Sequence, residues 1–267
     1  MNCFFNLKKF FILFVVLLLL SGCQQHNKLY EKYNVSHKEK IYSYKHFTKI
    51  LVKEIIYPES CEFNNMTPDN KEDKCSKYIG NLPPIIIEKY GSGGFINTKN
   101  GVNVLTAGHV CQKDFDDKTI EDLDIKIKTK SMLFINIVTF SGIYVKSSIL
   151  KLSEVSDLCL LKLEDKEFIP ESIIDLSIFP PEIGGVVHSV TSPQGIALKN
   201  SAPIFFGIYS GISYGMQLFT LYSDSGSSGS LILNENNRLV GMITKTRKDM
   251  HSISLSPTFD EIHEFLR

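Results

Sequence analysis

A serine framed by glycines, Gly226-Ser227-Ser228-Gly229, stands directly ahead of the apolar run Leu231-Ile232-Leu233. A turn of this composition exposes a hydroxyl and aims neighbouring backbone N–H groups at one point, as an acyl-transfer nucleophile and its oxyanion site require. Ser228 is therefore the candidate nucleophile, and the N–H groups of Gly226 and Ser228 are the candidate oxyanion donors. Such a hydroxyl is a weak nucleophile without a base, and the base needs an orienting group. His109 ends the run Val104-Leu105-Thr106-Ala107 among small residues, and Asp157 directly precedes Leu158-Cys159-Leu160-Leu161. An ionised carboxylate at the entrance of a buried strand is costly unless it is paired. Singly, each residue has an ordinary structural use: a tight turn, a strand-end histidine, a turn-capping aspartate. In the order His, Asp, Ser, each at the edge of a hydrophobic strand, they combine as base, orienter and nucleophile.

The rest of the chain must hold three strand ends together. Short β-branched and apolar runs separated by Gly, Pro, Asn and Asp recur at 85–87, 94–96, 102–105, 123–127, 134–140, 158–163, 186–190, 204–208, 217–221, 231–233 and 239–243. Many short strands with turn signals between them predict an all-β sandwich or barrel. At the end of the chain Phe259, Ile262, Phe265 and Leu266 share one face of a predicted closing helix. Ahead of the strands, Tyr44, Phe47, Leu51 and Ile55 recur at helical spacing with Pro58 as a stop, predicting a short amphipathic helix. No internal repeat is evident.

The 267 residues are 43% hydrophobic and carry 29 basic and 29 acidic side chains, which leaves no electrostatic footprint for nucleic acid. Lys8 and Lys9 precede an unbroken apolar run, residues 10–20, too short to span a bilayer comfortably. With small residues following, this reads as an export signal, with lipoprotein processing, ordinary signal cleavage and an uncleaved anchor as the three alternative fates. Leu20-Ser21-Gly22-Cys23 also resembles the bacterial lipobox. That resemblance implies removal of residues 1–22, lipidation of Cys23 and anchoring in the bacterial cell envelope. Gln24 in place of Asp implies the outer membrane, facing the periplasm, in a Gram-negative cell. Residues 24–40 read as a polar tether whose His26 and His37 fit no common metal spacing, and no metal or cofactor is expected. Export places Cys61, Cys75, Cys111 and Cys159 in an oxidising compartment. Cys61–Cys75 is the favoured disulfide, closing a polar, turn-rich segment; Cys111–Cys159 is a second pairing, against two buried free thiols.

From about residue 85 to 267 the chain resembles the trypsin-like (chymotrypsin-fold) serine peptidases, nearest the HtrA and glutamyl-endopeptidase branches. The resemblance rests on Gly91-Ser92-Gly93-Gly94-Phe95-Ile96, Leu105-Thr106-Ala107-Gly108-His109-Val110, Ser156-Asp157-Leu158, Ser192-Pro193-Gln194-Gly195, Gly226-Ser227-Ser228-Gly229-Ser230 and Val240-Gly241-Met242-Ile243. It implies two packed six-stranded antiparallel β-barrels with a C-terminal helix, to which the predicted helix adds a short helical N-terminal extension. The organisation expected is a signal peptide at 1–22, a lipid-anchored tether, short helix and cysteine loop at 23–80, and a peptidase domain at 81–267. Ser228 would attack a peptide carbonyl with His109 as base and Asp157 as orienter, so the partners expected are a protein or peptide substrate and, through Cys23, a membrane.

Departures from the family pattern carry their own implications. Ser227 stands where the digestive enzymes carry an aspartate that pairs with a new N-terminus, so that zymogen switch is not expected. Ile243 stands where glutamyl endopeptidases carry a histidine, which argues against glutamate preference. An apolar pocket at Tyr222, Ile243 and Thr244 is expected instead, favouring a small or medium apolar residue before the scissile bond. With 39 residues following Ser228, the PDZ domain usual in HtrA enzymes is not expected. His188, His251 and His263 lie in no matching motif. The alternative function is a catalytically inactive trypsin-like lipoprotein acting as a binding module in the envelope.

Overall fold

The computed structural model describes residues 44–63, 80, 82–114, 119–122, 125–247 and 250–267. The export signal, Cys23, the tether and Cys75, with it the Cys61–Cys75 pairing, lie outside the described residues. The first seven strands are β1 (Phe47–Phe63), β2 (Ile85–Thr98), β3 (Gly101–Ala107), β4 (Thr119–Asp122), β5 (Ile125–Thr139), β6 (Tyr144–Ser153) and β7 (Leu158–Leu163). They run in the order β1-β2-β3-β7-β6-β5-β4, all antiparallel, and β1 pairs with β5 as well, closing six strands into a barrel with β4 added to β5.

The predicted amphipathic helix ahead of Pro58 is corrected: residues 47–63 are a strand, preceded only by a 3-10 turn at Tyr44–His46. Phe47, Leu51 and Ile55 are four apart, which suits one helix face and equally one strand face. The burial decides it, because Ile50, Val52, Glu54 and Ile56 are buried while Leu51, Lys53 and Ile55 are half-buried, a period of two. Thr48, Ile50, Val52, Ile55 and Ile56 are β-branched, and such side chains pack well on a pleated surface. Pro58 does not stop the strand; the β1–β5 register shifts between Pro58 and Ser60, an irregularity that tolerates proline.

The second sheet contains β8 (Val186–Val190), β9 (Ile204–Ser213), β10 (Met216–Phe219), β11 (Leu231–Asn234), β12 (Leu239–Met242), β13 (Lys245–Arg247) and β14 (Met250–Ser256). Its order is β12-β11-β8-β9-β10-β14-β13, with no pairing between β12 and β13 among the described residues. The expected pair of antiparallel barrels is thus one closed six-stranded barrel and one half-barrel sheet. The larger core runs from Val104, Leu105, Ile137 and Leu161 of the first barrel to Leu231 and Met242 of the second sheet. A smaller core fills the second sheet with Tyr209, Phe219, Leu221, Ile232 and Ile243.

The connection between the sheets is stitched to both. Ile174 exchanges backbone hydrogen bonds with Phe95 and Asn97, and Asp175 accepts from Leu239 N. The chain closes with helix α2 (Phe259–Leu266), following the one-turn helix α1 (Gly108–Cys111). Thr258 and Glu261 form a capping box, Thr258 Oγ1 accepting from Glu261 N and Glu261 Oε2 accepting from Thr258 N, which fixes where α2 begins. Its apolar face buries Phe259, Ile262, Phe265 and Leu266, as the periodicity predicts.

Candidate active site

β3 passes directly into α1, and α1 presses against the turn that leads into β7. Gly108 makes this approach possible, since a Cβ there would lie 2.9 Å from the Asp157 carbonyl carbon and 3.0 Å from Leu158 N. Gly108 N donates to Asp157 O at 2.9 Å, and His109 N donates to Asp157 Oδ1 at 2.7 Å. The His109 ring then meets the same carboxylate, Nδ1 lying 2.9 Å from Oδ2 and 3.1 Å from Oδ1. With Nδ1–H donating to the carboxylate, Nε2 is the nitrogen left to accept a proton. Partial burial pushes the Asp157 carboxyl up, but the His109 ring and N–H, with the Lys245 ammonium beyond, hold it below the usual carboxylate range. Cys111 and Cys159, each two residues beyond the paired side chains, form the second of the two disulfides considered, linking α1 to β7 with Cα atoms 6.5 Å apart.

The turn ahead of β11 is organised by two glycines with positive φ, Gly226 at +87° and Gly229 at +90°. A Cβ on Gly229 would overlap Ser92 O and Thr106 Oγ1, so only glycine lets this turn seat against β2 and β3. Ser92 is the hub of that seating: its N–H donates to Ser228 O at 2.8 Å and its Oγ donates to Gly226 O at 2.8 Å. Gly91 lies between the two halves, a Cβ there falling 2.8 Å from Val110 and 3.3 Å from Ser228 O. The histidine helix and the serine turn are thereby brought to the same stretch of β2. Ser227 is fully buried, with Oγ accepting from Asp224 N at 3.1 Å. Ser225, Ser227, Gly229 and Ser230 N–H groups all donate within the fold. Among the described residues, those of Gly226 and Ser228 have no protein acceptor, and Ser228 Oγ makes no hydrogen bond.

The three expected pocket residues are placed differently from one another. Ile243 is 1% exposed and packed in the core of the second sheet, and its carbonyl accepts from Gly229 N at 2.7 Å. Thr244 is buried on the same run, whereas Tyr222 is exposed, its ring 4.9 Å from Phe205 and 6.2 Å from His251. The His188 ring lies 5.9 Å from that of Phe206 and the His263 ring 4.1 Å from that of Phe259, both tilted. Sequence reasoning missed Ser92, and also the buried hydroxyl chain in which Ser223 Oγ lies 2.7 Å from Thr246 Oγ1 and 2.8 Å from Ser254 Oγ. The only signal for Ser92 was the density of small residues around it, which marks close backbone approach without saying to what.

A His–Asp pair and a glycine-framed serine turn, carried on one closed barrel and one half-barrel, define the trypsin-like peptidase class. Residues 91–242 match the family model described as the trypsin-like peptidase domain, and the chain belongs to that family. Its fold is similar to that in a crystal structure of the serine endoprotease from Yersinia pestis, with a TM-score of 0.54 and 16% sequence identity over 83% of this chain. The chain spans 61% of that protein's length, and at this identity the likeness is one of fold. No curated protein sequence gives a significant match.

Proposed function

We propose that this chain is a serine endopeptidase working through Ser228, His109 and Asp157. The observation that carries the reading is the His109–Asp157 pairing beside a serine turn whose Gly226 and Ser228 N–H groups have no acceptor among the described residues. His109 Nε2 takes the Ser228 proton as Oγ attacks the substrate carbonyl, and the charge that develops on the carbonyl oxygen is met by the two free N–H groups. The same nitrogen returns the proton to the leaving amine, and water then releases the acyl group from Ser228. Asp157 holds the ring and stabilises the imidazolium throughout.

Residue preference before the scissile bond is proposed as apolar and of small or medium size, read by a pocket at Tyr222, Ile243 and Thr244. Lipidation of Cys23 is proposed to hold the protein in the bacterial envelope; Cys23→Ser should move it out of the membrane fraction. The peptidase reading is tested by fluorophosphonate labelling of the mature protein beside Ser228→Ala. Labelling that depends on Ser228 is expected; its absence in folded protein favours a trypsin-like binding module.

A further inference from the structure

The segment Ser192-Pro193-Gln194-Gly195 lies with its backbone directly behind Gly226. A Cβ on Gly226 would fall 2.5 Å from Ser192 O and 3.0 Å from Gly195 N. Within this contact Gln194 N donates to Ser225 O at 2.6 Å. Ser225 C=O and Gly226 N–H belong to one planar, trans peptide unit, so the two groups point in opposite directions. A bond that holds Ser225 O against Gln194 therefore turns the Gly226 N–H away from this segment and leaves it without an acceptor among the described residues. If that single peptide rotated, a carbonyl oxygen would replace the donor and would repel an oxyanion.

Gln194 is fastened at several points. Its Nε2 donates to Asp224 Oδ2 at 2.9 Å, and Asp224 Oδ1 accepts from Ser225 N at 2.7 Å, so one carboxylate ties Gln194 to the residue whose carbonyl it holds. Gln194 sits at φ +52°, a left-handed conformation that a residue with a side chain keeps only when its surroundings impose it. Those surroundings include Lys49 of β1, whose Nζ donates to Gly195 O at 2.7 Å, and Ser92 of β2, whose Oγ accepts from Ser192 N at 3.0 Å. The first barrel thus holds the segment that orients a peptide of the second sheet.

We propose that Gln194, fastened to Asp224, is a positioning residue that keeps the Ser225–Gly226 peptide turned with its N–H toward the oxyanion; this rests on Ser228 acting as an acyl-transfer nucleophile. The cleanest test replaces Gln194 by its α-hydroxy analogue, so that an ester oxygen takes the place of the N–H and every side chain is kept, the one other change being a weaker Pro193 carbonyl acceptor for Ile196 N. Gln194→Ala and Asp224→Ala, singly and together, remove the fastening.

The rate of fluorophosphonate labelling should fall about tenfold in the ester variant, the scale of one lost hydrogen bond acting on a peptide that controls one oxyanion donor. Gln194→Ala and Asp224→Ala should each fall severalfold, with the double variant no lower than the worse single variant. Affinity for a peptide boronic acid, whose tetrahedral adduct is anionic, should fall by the same factor as labelling. Affinity for the same peptide ending in an unreactive amide should stay within about twofold, a split that general damage to the site would not give. Unchanged labelling in the folded ester variant overturns the proposal, as do equal losses for the boronic acid and the amide. Ser228-dependent labelling of the unaltered protein is measured alongside: if it is absent, the nucleophile reading itself fails, whatever the variants do.

Discussion

Asp157 combines three tasks in one residue: Oδ1 holds the His109 backbone, both carboxylate oxygens meet the His109 ring, and its backbone carbonyl accepts from Gly108 N. Asp157→Asn keeps the shape but presents an amide to Nδ1, and under the proposed mechanism kcat should fall by about 10⁴ while the protein stays folded. Because the folded carboxyl titrates below its unfolded value of about 3.9, the stability it contributes is complete above that pH. It is lost as pH falls through the folded value. Acid unfolding followed by circular dichroism should show a smaller change over this window in Asp157→Asn than in the native protein. His109, Asp157 and Ser228 were legible in the sequence as candidates because small residues and strand edges flag them, and the structure pairs the first two. Ser92 and Gln194 were not, since a serine among glycines carries no chemical signature and the partners of both lie far along the chain.

At the level of elements, the glycine-framed turn and β1 show opposite limits of sequence reading. The turn was recognisable because two glycines bracket a serine, and both do adopt positive φ. Gly229→Ala adds strain at +90° and places a methyl against Ser92 O, so chemical denaturation should show a loss of roughly 2–4 kcal/mol. β1 was misread because residues four apart satisfy helix and strand alike, and pairing partners on β2 and β5 decided between them. The Cys111–Cys159 link was one of two options in the sequence, since nothing local indicated that α1 and β7 pack together. It closes a loop over a sequence separation of 48, for which the chain-entropy estimate is about 4 kcal/mol. Cys111→Ala with Cys159→Ala should lower the urea midpoint accordingly, with the unfolding slope rising as the unlinked denatured chain opens further.

Taken whole, the molecule depends on a strand that lies ahead of the segment carrying the family signature. The family match begins at residue 91, yet β1 occupies 47–63 and pairs with both β2 and β5 to close the first barrel. A chain starting at residue 81 would expose both of those edges, and unpaired edges recruit other chains. Such a truncation should aggregate, whereas one starting at residue 44 should stay monomeric by light scattering. The all-β class and the closing helix α2 were readable from strand-length runs and from the spacing of Phe259, Ile262 and Phe265. Closure of one sheet and openness of the other were not, because both depend on long-range pairing.

The cross-link between α1 and β7 also bears on the order in which the molecule matures. Cys111 and Cys159 stand at equal offsets from His109 and Asp157, so the oxidation that joins the two elements acts on the same contact that pairs the two side chains. Under the proposed function, a refolding time course should find thiol loss and the gain of Ser228 reactivity following a single curve.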